Sequence, residues 1–161
     1  MSIVMDDGFI VFLMDLGSGM GLSRSVERVS LGEWHNVTVQ RMGADISLYV
    51  DTQTVARSRS GGQSSQLSLG QHLWLGGVSD MMSLPAALSS NILSGYTGCV
   101  HSLTVNSLPV QLLYSAITSV SVSSCDPGHV SPLPVSSPRH SVPSFTGRSY
   151  LAFNSSDIYT K

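Results

Sequence analysis

The fold of this chain is constrained most by two short runs of residues, 73–78 and 98–106. The first run, Leu-Trp-Leu-Gly-Gly-Val, predicts a buried strand that ends at a glycine pair. The second run, Gly-Cys-Val-His-Ser-Leu-Thr-Val-Asn, alternates in polarity and predicts a strand that begins with a cysteine. The chain has one other cysteine, Cys125. Cys99 and Cys125 are therefore either one disulfide or two separate buried thiols, and the residues alone leave both readings open.

Other short runs predict strands along most of the chain up to residue 113. Phe9–Met14 follows a turn and is rich in β-branched and aromatic residues, which indicates a strand buried on both faces. Trp34–Arg41 and Ala44–Val50 alternate in polarity on either side of Gly43, which predicts a hairpin. Gly17–Gly21 is predicted to be a turn, and further strands are predicted at Val26–Leu31, Thr54–Ser58, Gln66–Leu69, Leu73–Leu75, Tyr96–Asn106 and Pro109–Leu113. Many short strands with regular turn signals predict an all-β antiparallel sandwich.

The low charge and the absence of a long apolar run argue against two kinds of partner. Charged residues make up 11% of the sequence and the net charge is −2, whereas a nucleic-acid-binding surface needs a dense basic stripe. No run approaches the ~20 apolar residues of a membrane-spanning helix. The first residues, Met1–Met5, meet Asp6 at once and lack the pattern of a secretion signal. We therefore expect no nucleic-acid partner and no membrane insertion.

The composition changes after Cys125. Residues 126–144 contain five of the seven prolines, set among serines and valines, which is typical of an extended linker rather than of a core. Residues 145–153 then return to an apolar pattern that predicts another strand. The predicted organisation is one domain over residues 1–125, a linker over 126–144 and a further ordered segment over 145–161.

Four segments, in this order, resemble the laminin G-like domain family. They are Asp15–Gly19 (Asp-Leu-Gly-Ser-Gly), Leu31–Arg41 (Leu-Gly-Glu-Trp-His-Asn-Val-Thr-Val-Gln-Arg), Leu75–Val78 (Leu-Gly-Gly-Val) and the Gly98-Cys99-Val100 to Val105-Asn106 strand. The resemblance runs from about Asp6 to Cys125. It implies a jelly-roll β-sandwich in an extracellular protein, secreted or part of an ectodomain, with Cys99 and Cys125 joined as a disulfide. An oxidising compartment would keep that bond closed.

The resemblance also implies an incomplete module. The amino-terminal strands of the sandwich are expected to be missing from residues 1–125, and residues 145–161 are similar to the first strand of a following laminin G-like module. A second possibility is that residues 145–153 fill part of the gap, because an open sheet edge is a liability that the fold gains from covering.

Calcium is the first ligand that the resemblance raises. Family members that bind it use two Asp side chains and backbone carbonyls at the rim of the sandwich, the hard oxygen donors that calcium requires. In this chain the rim is represented by the carbonyl near Leu16 and by Gln71, which offers only a neutral amide oxygen. With both carboxylates absent, we expect no metal and no cofactor, and calcium stays the less favoured alternative.

Glycans are the second kind of ligand that the resemblance raises. The resemblance implies partners such as extracellular receptors, heparan sulfate or the acidic glycans of dystroglycan, and the candidate cations are Arg24, Arg28, Arg57 and Arg59, with Arg41. Arg57 and Arg59 are two residues apart and therefore point from one face of a strand. Arginine favours bidentate contacts with sulfate or carboxylate. The alternative is that these arginines are ordinary solvated side chains.

Two N-glycosylation acceptor patterns are present, at Asn36-Val37-Thr38 and at Asn154-Ser155-Ser156. Asn36 is predicted to lie on the polar face of its strand, where a glycan would project outward. Asn36 and Asn154 are both candidates for modification.

An enzyme is the rival class, and the residues argue against it. Jelly-roll glycosidases need two carboxylates across the sugar, and the glutamates, Glu27 and Glu33, sit in no such motif. The histidines match no zinc spacing and no nucleophile motif, and His101 is predicted to be a core residue. We therefore expect a non-enzymatic matrix or adhesion module that binds receptors or sulfated glycans. The alternative is an architectural spacer whose own ligand sites have been lost.

Overall fold

Antiparallel pairing accounts for every strand in the computed structural model, which describes residues 1–17, 19–60, 70–80, 94–125 and 142–156. The predicted all-β antiparallel class is confirmed. The chain divides into two compact units, Met1–Ser68 (unit 1) and Leu69–Lys161 (unit 2). This division falls inside the segment 1–125 that the sequence predicts as one domain.

Unit 1 contains two sheets, each made of three strands that follow one another in the chain. The strands are β1 (Ser2–Asp6), β2 (Phe9–Asp15), β3 (Met20–Arg24), β4 (Val37–Met42), β5 (Asp45–Val50) and β6 (Gln53–Arg59). The predicted hairpin at Gly43 is confirmed, with Met42 opposite Asp45. Asp7 and Gly8 connect β1 to β2 and both have positive φ, as the tightest hairpin turns require.

The core of unit 1 lies between these two sheets. Ile10 to Met14 are all buried, which confirms the prediction that β2 is covered on both faces. Phe12, Met14 and Leu16 pack with Ala44 and Ile46 in one cluster. Burying side chains of this size stabilises a fold by roughly 1.5–3 kcal/mol each.

The prediction of a strand at Val26–Leu31 is wrong, and the strand is β3 instead. Val26 and Leu31 are 74% and 87% exposed. The inward positions of β3 are occupied by small residues, Gly21 and Ser23, because the end of β6 approaches closely. A Cβ on Gly21 would lie 2.9 Å from Cα of Ser60, the residue that follows β6. Because its inward residues are small, β3 does not show the alternation of apolar and polar residues that predicts a strand.

Unit 2 contains eight described strands in three sheets, of order β11-β14-β7, β12-β13-β8 and β10-β9. The strands are β7 (His72–Leu75), β8 (Thr97–Cys99), β9 (Leu103–Val105), β10 (Leu108–Val110), β11 (Thr118–Val120), β12 (Ser123–Ser124), β13 (Pro143–Thr146) and β14 (Tyr150–Asn154). Strands β1, β11 and β12 were not predicted, because each is short and lies outside the family segments.

Residues 145–153 pair with the preceding sequence, as expected if they fill part of the gap in the sandwich. Strand β14 pairs with β7 on one side and β11 on the other, and β13 pairs with β8 and β12. Phe145, Leu151 and Phe153 are buried in a cluster with Leu112. Strand β13 begins at Pro143, inside the predicted linker 126–144. That residues 145–161 begin a following module stays a prediction.

The single strand predicted at Tyr96–Asn106 is two strands, β8 and β9, that belong to different sheets. Strand β8 pairs with β13, whereas β9 pairs with β10 across the Asn106-Ser107 turn. The bend between them brings His101 to the surface, so the prediction of a core histidine is wrong. The predicted strand Gln66–Leu69 and most of the irregular segment 79–94 lie outside the described residues.

Candidate functional site

The charged loops of unit 1 form the first of two candidate sites, which we call the loop rim; the second is on β6. It consists of the β1–β2 turn (Asp6–Gly8), the segment 25–36 that follows β3, and the β5–β6 turn (Asp51-Thr52). Strand pairing brings these pieces together: Asp6 lies opposite Phe9, and Val50 opposite Val37. Loops held by paired strands are where β-sandwiches usually place function.

Arg24 and Arg28 converge on one aromatic ring in this rim. The guanidinium carbon of Arg24 lies 4.2 Å, and that of Arg28 5.4 Å, from the centroid of Phe9. Arg24 also donates to Asp6 Oδ2 at 2.6 Å, and Arg28 donates to Asp7 Oδ2. Both ion pairs are exposed, so each is worth little on its own. Two of the four predicted glycan-binding arginines are therefore already paired with carboxylates.

His35 and Asp51 form the second cluster of the rim. His35 Nδ1 lies 3.0 Å from Asp51 Oδ2, and Nε2 lies 3.1 Å from the Ser30 carbonyl oxygen. Both oxygens are acceptors, so the protonated ring donates to each of them. Asp51 Oδ1 accepts from the Asn36 amide at 2.9 Å, and the Asp51 amide donates to the Asn36 carbonyl at 2.7 Å. These bonds fasten the start of β4 to the β5–β6 turn.

The two groups shift each other's proton affinity. The hydrogen bond to Asp51 raises the pKa of His35 above its ordinary value, assisted by the Ser30 carbonyl. The hydrogen bond to His35, followed by the Asn36 amide, lowers the pKa of Asp51. Both ring nitrogens face acceptors, so the geometry favours the imidazolium form.

Ser30, His35 and Asp51 stand in the order of a nucleophile, a base and its orienting acid, with Ser30 Oγ 3.0 Å from His35 Nε2. The hydrogen bonds do not support that chemistry. Ser30 Oγ donates to Glu33 Oε2 at 2.6 Å, and His35 Nε2 donates to a carbonyl. When the ring is protonated, which two acceptors favour, both nitrogens carry a proton and Nε2 cannot accept another from serine. The cluster is a structural clasp.

This clasp is not among the features predicted from the sequence, although the sequence contains one signal for it. The hairpin predicted around Gly43 sets a register in which Met42 faces Asp45 and Val37 faces Val50. Extending that register by one residue places Asn36 beside Asp51.

A pocket of about 460 Å³ opens beside the clasp. Its lining includes both cationic and anionic groups, so it is not a basic cleft. The lining residues are Ser25–Ser30, His35 and Val50–Gln53.

Arg57 and Arg59 lie elsewhere in unit 1, on β6, and both are exposed. Arg59 donates to Asp45 Oδ1 at 3.0 Å, with the two side chains 69% and 62% exposed. Arg57 lies opposite Ser47 and makes no ion pair with any residue that the structure describes. The four predicted arginines therefore form two pairs in different surroundings: Arg24 and Arg28 on Phe9, and Arg57 and Arg59 on β6.

The residues at the predicted calcium rim do not fit the ion. Leu16 is in unit 1 and offers a backbone carbonyl, while Gln71, in unit 2, is exposed and has its carbonyl bonded to the Ser155 amide at 2.9 Å. Asp15 Oδ1 accepts from the Gly17 amide at 2.7 Å. These donors are mostly neutral, whereas calcium sites rely on carboxylates. That the chain binds no calcium stays a prediction.

Cys99 and Cys125 are joined in a disulfide with a Cα–Cα distance of 6.0 Å, the pairing that the resemblance implies. The acceptor asparagines differ in exposure. Asn36 is exposed just before β4, while Asn154 is half-buried at the end of β14 and its Oδ1 accepts from the Ser156 amide at 3.4 Å. Their modification stays a prediction.

Neither a metal-binding cluster nor a membrane-spanning helix is present within the described ranges. Three or more His, Cys, Asp or Glu side chains do not gather there in an arrangement that would hold a metal ion. In the same residues, no helix has the length and apolar character needed to cross a membrane.

Comparisons with known proteins agree with this architecture. The Laminin G domain family matches residues 1–108. The chain is 37% identical over 124 residues to the basement membrane-specific heparan sulfate proteoglycan core protein of Mus musculus, which covers 77% of this chain and 3% of that protein. It is 26% identical to pikachurin of Rattus norvegicus (98% of this chain, 18% of that protein) and 32% identical to neurexin-2 of Mus musculus (68% and 6%). No solved structure matches the chain.

The all-β fold, the disulfide and these relatives define an extracellular, non-enzymatic module of the adhesion and matrix type. The chain belongs to the laminin G domain family. It spans only a small part of the length of the relatives it matches.

Proposed function

We propose that this laminin G module binds sulfated or acidic glycans on extracellular receptors, through Arg57 and Arg59 on β6. The observation that carries the proposal is the state of Arg57, which is exposed and makes no ion pair within the described part of the chain. Its neighbour Arg59 has a partner, Asp45, but that pair is exposed on both sides. Exposed pairs are worth about 0–1 kcal/mol, so a sulfate group can displace the Asp45 carboxylate at little cost.

The geometry of β6 suits a chain of anionic groups. Residues two apart on a strand project from the same face and are separated by about 7 Å. Two guanidinium groups at that spacing can each form a bidentate contact with a sulfate or carboxylate. The relatives support a setting in which sulfated glycans are present, since one of them is by its name the core protein of a heparan sulfate proteoglycan.

Retention on immobilised heparin tests this proposal. We expect the native chain to elute above about 0.15 M salt, the physiological value. The double variant Arg57→Gln/Arg59→Gln should elute earlier, and Asp45→Asn should elute later because it frees Arg59. Arg24→Gln/Arg28→Gln is the matched control, since it removes the same charge from arginines that are held on Phe9. Elution of the native chain below physiological salt would remove the proposal.

An architectural spacer is the second candidate function. It is favoured by the carboxylate partners that Arg24, Arg28 and Arg59 already have. If this is the function, all three variants will elute together with the native chain at low salt. Neighbouring modules of the parent protein would then carry the binding.

A further inference from the structure

The carboxy-terminal strands occupy the centre of unit 2. Strand β14 is the middle strand between β7 and β11, and β13 is the middle strand between β8 and β12. Removing residues 142–156 would leave these four neighbours without their ladder partners among the described residues. Strands β7, β8, β11 and β12 therefore form a groove, which we call the acceptor groove, that is filled by a two-stranded segment.

The segment also supplies most of the buried residues at the centre of the unit 2 core. Three of the four buried residues of the unit 2 cluster, Phe145, Leu151 and Phe153, come from it, and partly buried side chains of the other strands pack against them. The fit is close, because a Cβ on Gly76 would overlap the Phe145 ring. Backbone hydrogen bonds extend the match beyond the ladders: the Gly95 amide donates to Gly147 at 2.9 Å, and the Gly147 amide donates to Tyr96 at 3.0 Å. The groove recognises this segment in detail.

The connection to the segment is much longer than its geometry requires. The Cys125 amide donates to the Val142 carbonyl at 2.9 Å, so the two ends of residues 126–141 are neighbours across an antiparallel pair. A hairpin loop of 2–5 residues would join them. Sixteen residues stand there instead, with a maximal extended reach of about 50 Å. That reach is sufficient to span to another molecule.

The disulfide holds the groove independently of its occupant. Cys99 ends β8 and Cys125 follows β12, the two strands on either side of β13. The covalent bond therefore ties these two walls together without involving residues 142–156. A groove that is fixed in this way is prepared to accept an equivalent strand pair from elsewhere, as in β-strand addition.

We propose that the acceptor groove takes residues 142–156 from a second copy of this chain as well as from its own. The product is a reciprocal strand-exchanged dimer, in which each groove keeps every contact described above. Such exchange of an identical element is an inexpensive route to a dimer. It depends on the length of the connection, and it does not depend on glycan binding.

The experiment compares the native chain with a variant in which residues 126–141 are replaced by Asn-Gly. The short turn joins Cys125 to Val142 directly and keeps the segment in its own groove. Two mass-distinguished copies of each protein are unfolded together with the disulfide intact, refolded at high concentration and examined by native mass spectrometry. The native chain should give dimers that contain both copies, and the Asn-Gly variant should stay monomeric.

Two results would overturn the proposal: a native chain that gives no mixed dimer, or an Asn-Gly variant that dimerises to the same extent. A second measurement covers the case in which the variant does not fold. A protease site placed within residues 126–141 of the native-length chain is cut, and a labelled peptide of residues 142–156 is added in excess. The labelled peptide should replace the cut segment, and failure to incorporate it contradicts recognition between separate molecules.

Discussion

The two units of this chain build sheets in opposite ways. In unit 1 each sheet consists of three consecutive strands, and turns such as Asp7-Gly8 and Asp51-Thr52 connect direct neighbours. In unit 2 the central strands come from the far end of the sequence, so that Leu75 pairs with Leu151. Local pairing costs little chain entropy, whereas distant pairing must close a long loop before any contact forms. The strands of unit 1 are brought together by their turns alone, whereas those of unit 2 are brought together by the disulfide and by residues 142–156.

This difference predicts where each unit is vulnerable. Hydrogen exchange followed peptide by peptide measures the two units separately within one chain.

Phe153→Ala should have the largest effect. Phe153 is fully buried in β14, and truncation of such a residue costs about 3–5 kcal/mol. Protection should fall in the peptides of β7, β11 and β14. Leu48→Ala, at an equally buried position of unit 1, is the matched change and should lower protection in β4 to β6. If either variant lowers protection equally in both units, the two cores unfold as one.

Removal of the disulfide by Cys99→Ser/Cys125→Ser should destabilise unit 2 by about 3.5 kcal/mol, the chain-entropy value for a loop of this size. The bond closes a separation of 26 residues around the walls of the acceptor groove. Exchange should rise in β8, β12 and β13 while unit 1 peptides keep their protection. A loss of protection in unit 1 of the same size would contradict the independent stability of the two units.

Gly76→Ala compares the units at the level of a single methyl group. Gly76 has φ +87° and faces the Phe145 ring, so the variant combines backbone strain with a clash. We expect a cost of about 2–4 kcal/mol. Gly43→Ala in unit 1 has φ +62° and open space around the new atom, so it should cost only about 1–2 kcal/mol. If Gly76→Ala and Gly43→Ala have the same midpoint in urea unfolding, the contact with the Phe145 ring adds nothing to the cost of the methyl group.

Unit 1 was also the more predictable of the two from sequence. Its hairpin at Gly43 and its buried strand β2 depend on turn residues and periodicity, which are local signals. Strand β3 was not predicted, because its inward residues, Gly21 and Ser23, are small. Their size is explained only by the closeness of β6. Local patterns cannot report such an approach.

The pairings of unit 2 were accessible mainly through the family resemblance, which supplied the disulfide. The split of Tyr96–Asn106 into β8 and β9 depends on which distant strand each half pairs with. The alternation of polar and apolar residues is the same whether the segment forms one strand or two. The candidate site shows the same limit. The clasp at Asp51 follows from a hairpin register, whereas the convergence of Arg24 and Arg28 on Phe9 requires the register of β2 and β3.

The smallest effect is expected at His35 in unit 1, and it should depend on pH. The pKa of His35 is raised above its ordinary value of 6.5, and that of Asp51 is lowered below 3.8. The raised histidine contributes stability that is present below pH 6.5 and is lost as the pH rises through its folded-state value. The lowered aspartate contributes stability that is present above pH 3.8 and is lost as the pH falls through its folded-state value. The clasp is therefore strongest between these limits.

Protection of the Asn36 amide, which donates to Asp51, should consequently fall slightly as the pH rises from 6 to 8, once exchange rates are corrected for pH. Asp51→Asn should abolish this dependence and bring the midpoint of the His35 ring signals in an NMR titration back toward 6.5. The disulfide and the acceptor groove lie in unit 2, so the same change should leave protection in β13 and β14 unaltered. A His35 midpoint that does not move in Asp51→Asn would show that the clasp is not what holds its proton. In that case unit 1 would depend on its turns alone, and the contrast between the two units would become sharper.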